Sequence, residues 1–408
     1  MVLKPLSGVL LGAACLAPGT AAAQSIDTTA PMLDVEDDIG LAEPLHAGPF
    51  EIIPSAELRI EYDSNIYAAE ASEVDDWIAI AVPRIEARTE TGSTRLSLLA
   101  EASFRRYFER TTENSTAAFV GATAGTSLGS SSRLRAEASW RRAVEDRGDP
   151  EARKSTAIGP RKLNILTGDI GWDYDGPRMS LGLQGTVTDA DYLADEDRAR
   201  DLRQLSAKAS AGYRIAGTMR GMLIGFVNRR DFDLPVDTAG INRDASTYGA
   251  RVGLKFGDNG IFRGEGSVGV FHFDPSDTSL PDYDGLSVEA ALAYLPTRRV
   301  AITLDAFRGD AATLRNGAQA RTDTTVRLGA QAEARHNLRL QAQLFYRRSK
   351  FRGVGVSETT KGVWVEAEFR INRILSFAPS FTYSDRDSDV ITENFDRFRV
   401  GAELRSRF

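Results

Sequence analysis

Arginine and glutamate recur at every second position over long stretches of this chain. In the closing stretch FRVGAELRSRF, Arg399, Glu403, Arg405 and Arg407 take the odd positions, and Phe398, Val400, Ala402 and Leu404 take the even ones. The same segregation sets Arg133, Arg135, Glu137 and Arg141 against Leu134, Ala136, Ala138 and Trp140, and Arg95, Glu101 and Arg105 against Leu96, Leu98 and Phe104. Lys208, Arg214, Arg251, Lys255, Arg263, Arg327, Arg339, Arg347 and Arg370 belong to the same pattern, as do Glu265, Glu289, Asp305, Glu333, Glu366 and Glu368. Charges of both signs, leaning basic, that face one water-filled space would set a field selecting anionic solutes or an acidic glycan. The alternation equally allows Arg and Glu to pair across neighbouring strands and stiffen a wall. Both readings stand, and they are compatible.

Other groupings that could do chemistry are weaker. The chain has three histidines, His46, His272 and His336, far apart in sequence. Asp274 and Ser276 follow His272, but no residue orients them, so a hydrolase built on this trio is a distant alternative. Asp385, Asp387 and Asp389 have the opening spacing of a calcium loop, without its turn glycine or its closing glutamate, and read as a solvated loop. Gly264 to Gly269 match G-x-G-x-x-G, yet the stretch lacks the strand-to-helix context of a dinucleotide site; small residues on a crowded wall explain it better. The expectation is therefore a protein without catalytic residues, cofactor or metal. The net charge of −7 also argues against a nucleic-acid binder.

A period of two requires strands. RLRAEASW, RLSLLAEASF, YGARVGLKF, TVRLGAQAEAR, NLRLQAQLFYR and KGVWVEAEFRI all alternate, and helical periodicity is unconvincing after the N-terminus. About eighteen strands of roughly 11 to 15 residues result, with sixteen as the other even count. Short turns at Thr91-Gly92, Gly129-Ser130, Asp175-Gly176-Pro177, Ala216-Gly217, Asp258-Asn259-Gly260, Pro296-Thr297, His336-Asn337 and Asn372-Arg373 alternate with longer, often acidic loops. The apolar faces carry almost no charge. That matters because Arg or Lys at a bilayer midplane costs roughly 2–4 kcal/mol. The fold class expected is all-β: an antiparallel transmembrane barrel with short periplasmic turns and long extracellular loops. A periplasmic β-sandwich or a solenoid of hairpins is the soluble alternative. Strands over 76–89, 162–175 and 218–230 alternate poorly, so bulges or register slips are expected there.

Residues 1–23 run from Lys4 through an apolar stretch to Ala21-Ala22-Ala23, the order of a secretory signal. Cys15 is the sole cysteine; as a lipid-attachment residue it would have Gly12 where a larger aliphatic is preferred. Residues 24–50 read as a flexible acidic periplasmic arm and 51–408 as the barrel. No later stretch offers the ~20 consecutive apolar residues of a spanning helix.

PSAELRIEYDSNIY, Pro54 to Tyr67, followed by Asp75, Asp76 and a second strand containing Pro83, is more distinctive. With Tyr107 and RRAVEDRGDPE, Arg141 to Glu151, it resembles the outer-membrane β-barrel porin family, type 2, associated with exopolysaccharide and capsule secretion loci. The resemblance covers essentially the whole chain after residue 23, though its motifs are loose. It implies an integral outer-membrane channel of a Gram-negative bacterium, exporting polysaccharide with periplasmic export proteins. A general solute-uptake porin is the alternative. The other partners expected are outer-membrane lipid, lipopolysaccharide and the barrel-assembly machinery, for which the terminal Phe408 resembles the recognition signal.

Overall fold

The computed structural model describes residues 44–257 and 260–407. The segment read as a signal, most of the acidic arm and Phe408 lie outside them. The strands are β1 (Leu45–Ala47), β2 (Phe50–Asp63), β3 (Asp76–Thr91), β4 (Thr94–Tyr107), β5 (Ser115–Ser127), β6 (Ser132–Val144), β7 (Lys162–Asp175), β8 (Met179–Tyr192), β9 (Leu202–Ala216), β10 (Met219–Phe232), β11 (Ala245–Phe256), β12 (Phe262–Pro275), β13 (Tyr283–Thr297), β14 (Val300–Ala311), β15 (Ala320–Arg335), β16 (Leu338–Arg352), β17 (Ser357–Arg370), β18 (Leu375–Ser388) and β19 (Phe395–Arg407). Each strand from β2 onward pairs antiparallel with the next, and β19 returns to β2 through Arg399↔Asp63 to Arg407↔Ser55. Eighteen strands, β2 to β19, thus close a ring, the larger of the two expected counts. Around the short-turn half of the wall, closure leaves no sheet edge, the condition for a sheet to sit in hydrocarbon.

β1 lies outside the ring. It folds back on β2 through Leu45↔Ile52 and Ala47↔Phe50, with Gly48 at φ +61° in the turn. The end of the expected arm is thus a short hairpin.

Short turns join the strands on one rim and longer loops on the other, with the first and last ring strands starting and ending on the short-turn rim. Gly129 (φ +81°) and Gly217 (φ +51°) supply the left-handed residue in two of the tight turns. The ring strands hold 12 to 16 residues. A tilted strand crosses the apolar layer in about 9–11 residues. The excess projects beyond it, and this is where side chains and loops pack.

The two faces divide as the alternation demands. Leu58, Ile60, Val120, Leu166, Ile170, Leu183, Leu223, Val252, Leu328, Leu344, Val365 and Val400 are exposed on the outside. Of the three stretches expected to be irregular, only 218–230 is, with a register shift at Met219/Arg220. β3 keeps one register with β2 through Pro83, and β7 is regular on both sides. Their alternation is blurred for another reason: Ile78 and Ile80 of β3, and Leu163 and Ile165 of β7, point inward yet are buried under loops.

Among the described residues the longest split in the ring lies between β13 and β14. β13 and β14 pair up from the short-turn rim only as far as Val288↔Arg308. Beyond that point β13 continues to Tyr283, paired with β12 alone, while β14 continues to Ala311, paired with β15 alone.

Candidate functional site

Beyond the split, the end of the β14–β15 hairpin folds into the barrel. Residues 309–314 and 318–323 are buried on both faces, whereas a wall strand leaves alternate residues exposed. Asp310 accepts hydrogen bonds from Arg230 Nη1 (2.8 Å), Thr247 Oγ1 (2.9 Å) and Tyr283 Oη (3.1 Å), all on the inner face of β10 to β13. Ala320 packs with Phe271 and Phe273, and Ala312 and Leu314 pack with Leu163, Ile165, Tyr192, Leu202 and Phe232. Gly309, Ala311, Ala312, Ala318 and Ala320 keep the hairpin slim enough to lie inside. The lumen is filled here by apolar contact, so the long-loop half resembles a protein core.

The 145–161 loop descends into the same space and grips the hairpin. Glu151 accepts from Thr313 Oγ1 (2.8 Å) and the Leu314 amide (2.6 Å), and its other oxygen pairs with Arg321 at 2.6 Å. Both members of this ion pair are almost fully buried, and Glu151 holds φ +62°, a conformation that costs a non-glycine residue about 1–3 kcal/mol. At the hairpin tip, Arg315 bridges Glu358 and Glu393 at 2.6 Å each. Asn316 accepts from Thr238 Oγ1 at 2.8 Å, and the Gly317 amide donates to Asp237 at 2.7 Å.

A second buried cluster ties the loop to the closing strands. Arg397 donates through Nε to both oxygens of Asp63 (2.9 and 3.0 Å) and through Nη1 to Asp146 (2.9 Å). Asn65 fixes the next loop, donating to the carbonyls of Ala69 (2.8 Å) and Asp396 (3.1 Å). Burial pushes the Asp146 carboxyl up, but Arg397, Arg399 and the Gly148 amide outweigh it and hold the group far below the usual carboxylate range. Asp149 goes the other way. Burial, then Asp146 and Glu145, raise it to about 7 against the opposing pull of Arg347 and Arg386.

Toward the short-turn rim the inner face is wet, and most of the charges singled out from sequence occur there. Arg95 pairs with Glu90 (3.0 Å), Arg135 with Asp173 (3.1 Å) and Lys255 with Glu265 (3.8 Å), all well exposed. Glu101 faces Arg84 at 3.8 Å, and Arg141 lies over Phe119. Arg133, Glu137, Lys208, Arg214 and Arg407 occupy the same face by register, and Arg327 stands opposite Asp305. Arg251, lying over Phe226, contacts Glu289 and Ser287. Arg339 meets Glu368 (3.6 Å), and Arg370 is on the same face of β17 opposite Ser376. Arg405 spans β18 to reach Glu366 at 2.8 Å while also binding Glu403, which Arg59 holds from β2 at 2.6 Å. Ala378 and Ser380 of β18 leave the room for this reach. Higher up, Arg347 meets Asp323 (3.5 Å), Arg399 meets Asp146 (3.8 Å), and Arg105 lies beside Tyr107.

His272 points outward. Its Nδ1 lies 2.9 Å from Asp284 and its Nε2 3.6 Å from Asp282, while the Ser276 amide bonds the Asp244 carbonyl. The structure therefore does not join His272 to Ser276. Asp385 pairs with Lys361 (3.3 Å) and Asp389 accepts the Ser357 amide (2.8 Å), so these acids anchor β17 to β18.

Sequence reasoning missed the buried grip formed by Glu151, Arg230, Asp310 and Arg321. One signal was present. On β14 the inward residues are odd-numbered, as with Ala301, Thr303 and Asp305, so Asp310 is a carboxylate on the lipid-side parity. A carboxylate there departs from the apolar outer face that Ile302 and Leu304 set lower on the strand.

A family model described as putative beta-barrel porin 2 matches residues 42–408. No curated protein matches the chain. Among solved structures it is similar to the apoprotein form of the FrpB iron transporter from Neisseria meningitidis, with TM-score 0.47 and 10% identity over 85% of this chain. It spans 62% of that transporter's length. It is also similar to OpdK of Pseudomonas aeruginosa with vanillate, with TM-score 0.45 and 13% identity, covering 88% of this chain and 99% of that one.

Proposed function

The chain belongs to the putative beta-barrel porin 2 family, and we propose that within it this barrel is the outer-membrane conduit for an anionic exopolysaccharide or capsule polymer. The observation that carries the reading is the opposition of charge between the two rims. The short-turn rim and the turns beside it carry Arg298, Arg299, Arg335, Arg370, Arg373 and Arg407, whereas the long loops carry Asp195, Glu196, Asp233, Asp237, Asp277 and Asp282. With the short turns in the periplasm, as barrels of this kind are oriented, a polyanion meets a basic entrance and leaves past an acidic exit. Capture on one side and repulsion on the other favour outward movement. Charged residues on the inner wall tune selectivity without covalent chemistry. Periplasmic export proteins would deliver the polymer, lipopolysaccharide would surround the outer rim, and the assembly machinery would insert the barrel.

Deletion of the gene followed by assay of surface glycan tests the export reading, and unchanged secretion would refute it. Planar-bilayer recording tests the channel itself. A reversal potential showing anion preference is expected for the basic entrance, and cation preference would overturn the charge argument. A small-solute uptake porin is the second reading, favoured by the filled long-loop half of the lumen. It predicts growth defects on a limiting anionic nutrient with surface glycan unchanged.

A further inference from the structure

We infer that the end of the β14–β15 hairpin is a gate that exchanges between the lumen and a vacant place in the barrel wall. The inference rests on the channel reading, but its movement is measurable without it.

The wall has a place for the hairpin. The register that ends at Val288↔Arg308 continues, residue by residue, to set Ser287 opposite Gly309, Leu286 opposite Asp310, Gly285 opposite Ala311 and Asp284 opposite Ala312. β13 is already extended over these residues and paired with β12 on its other side. Its free edge presents backbone donors and acceptors in the geometry a returning β14 needs. The hairpin is itself already formed, since β14 and β15 stay paired to Ala311↔Arg321. Gating therefore needs no refolding of the hairpin, only a swing about the last shared pair with β13 and a bend of the β15–β16 ladder, which runs on to Ala320↔Arg352.

The lumenal position is held by contacts able to release. Apart from Ala312, Ala320 and Leu314, the grip consists of ion pairs and hydrogen bonds at Asp310, Glu151 and Arg321 and, at the tip, at Arg315, Asn316 and Gly317. Glu151 is central: one carboxylate binds three hairpin groups, from a residue in a left-handed conformation. Stored backbone strain at the residue that clamps a movable element is expected where two states must lie close in free energy. In the wall state the ladder hydrogen bonds of β13 replace the Glu151 contacts, and the space among Phe271, Phe273, Tyr192 and Phe232 opens to the lumen.

Two disulfide pairs separate the states. Asp284→Cys with Ala312→Cys tests the wall state. Asp284 is exposed on the outside and Ala312 is buried inside against β7 to β10, so the two cannot meet while the hairpin is folded in. Thr238→Cys with Asn316→Cys, whose side chains touch at 2.8 Å, tests the lumenal state. Both are scored only on heat-modifiable, folded barrel in outer-membrane vesicles. The first pair is expected to oxidise slowly alone and several-fold faster with Glu151→Gln, while oxidising the second pair lowers conductance reversibly on reduction. The proposal is overturned if 284–312 never forms in the Glu151→Gln background while 238–316 does, or if conductance ignores the 238–316 bond. A barrel that forms the 284–312 bond but conducts under no condition counts against the channel reading alone.

Discussion

Replacing Arg397 with Met tests whether the buried cluster at the β19–β2 closure is the structural anchor that the geometry makes it. Arg397 and Asp63 are both nearly inaccessible, and Arg397 satisfies Asp63 and Asp146 together. Methionine keeps much of the stem volume but removes the ion-pair partner of Asp63 and leaves Asp146 with Arg399 alone. Breaking a buried pair from one side costs about 3–5 kcal/mol. Protonation sets a ceiling on that cost for each carboxylate. An aspartate with an ordinary pKa near ~3.9 needs about 1.4 kcal/mol per pH unit to stay neutral, hence about 4 kcal/mol at pH 7 and about 1.5 kcal/mol at pH 5. The loss on Arg397→Met should therefore shrink by roughly half or more between pH 7 and pH 5. Denaturant titration of the detergent-folded barrel, followed by tryptophan emission and heat-modifiable mobility, measures it. Arg397→Met/Asp63→Asn should recover part of the loss at pH 7. A midpoint unchanged at pH 7, or an equal loss at both pH values, would refute the reasoning.

The Asp149 and Asp146 shifts oppose each other in pH. Asp149 has an ordinary value of 3.8 and is raised to about 7, so the packed loop is favoured while it is protonated and loses on the order of 4 kcal/mol as pH rises from about 4 through 7. Asp146 is depressed, so its contribution is present above about 4 and fades as pH falls below that. Proteolysis of the 145–161 loop should thus be slowest at about pH 4, where both contributions are present, and Asp149→Asn should abolish the increase on the alkaline side; an identical alkaline profile would count against it. On the closing strands, Arg405→Met should lower stability by about 1–2 kcal/mol, since the site is partly exposed and screened, with Arg405→Lys recovering only part because the fork to Glu366 is lost. Leu328→Arg, outward and mid-strand, should cost about 2–4 kcal/mol in a bilayer, while inward Thr123→Arg, opposite Glu137, should stay within about 0.5 kcal/mol; equal costs in vesicle-based unfolding would show the faces misassigned.

The architecture was legible because a barrel repeats one local rule. Side-chain direction along a strand alternates with period two, so Leu134/Arg135 or Val400/Arg399 reveal two unlike solvents from neighbouring residues alone. Glycine-bearing turns against long acidic loops reveal the two rims in the same way. The motif Tyr62-Asp63-Ser64-Asn65 was visible as a turn, but its purpose was not, because Asp63 finds Arg397 at the other end of the chain. What local periodicity could not specify is where a strand stops being wall. Ile78, Leu163 and Ile165 look like lipid-facing residues and instead lie beneath loops, and Asp310 looks like part of a loop and instead binds three strands of the inner wall. The sequence by itself determined the strands, their faces and the ring. Only the tertiary structure decided that the β14–β15 hairpin leaves the ring and fills the lumen, because that choice sets wall hydrogen bonds against contacts to Glu151, Arg230 and Phe273, whose positions in sequence carry no trace of their meeting.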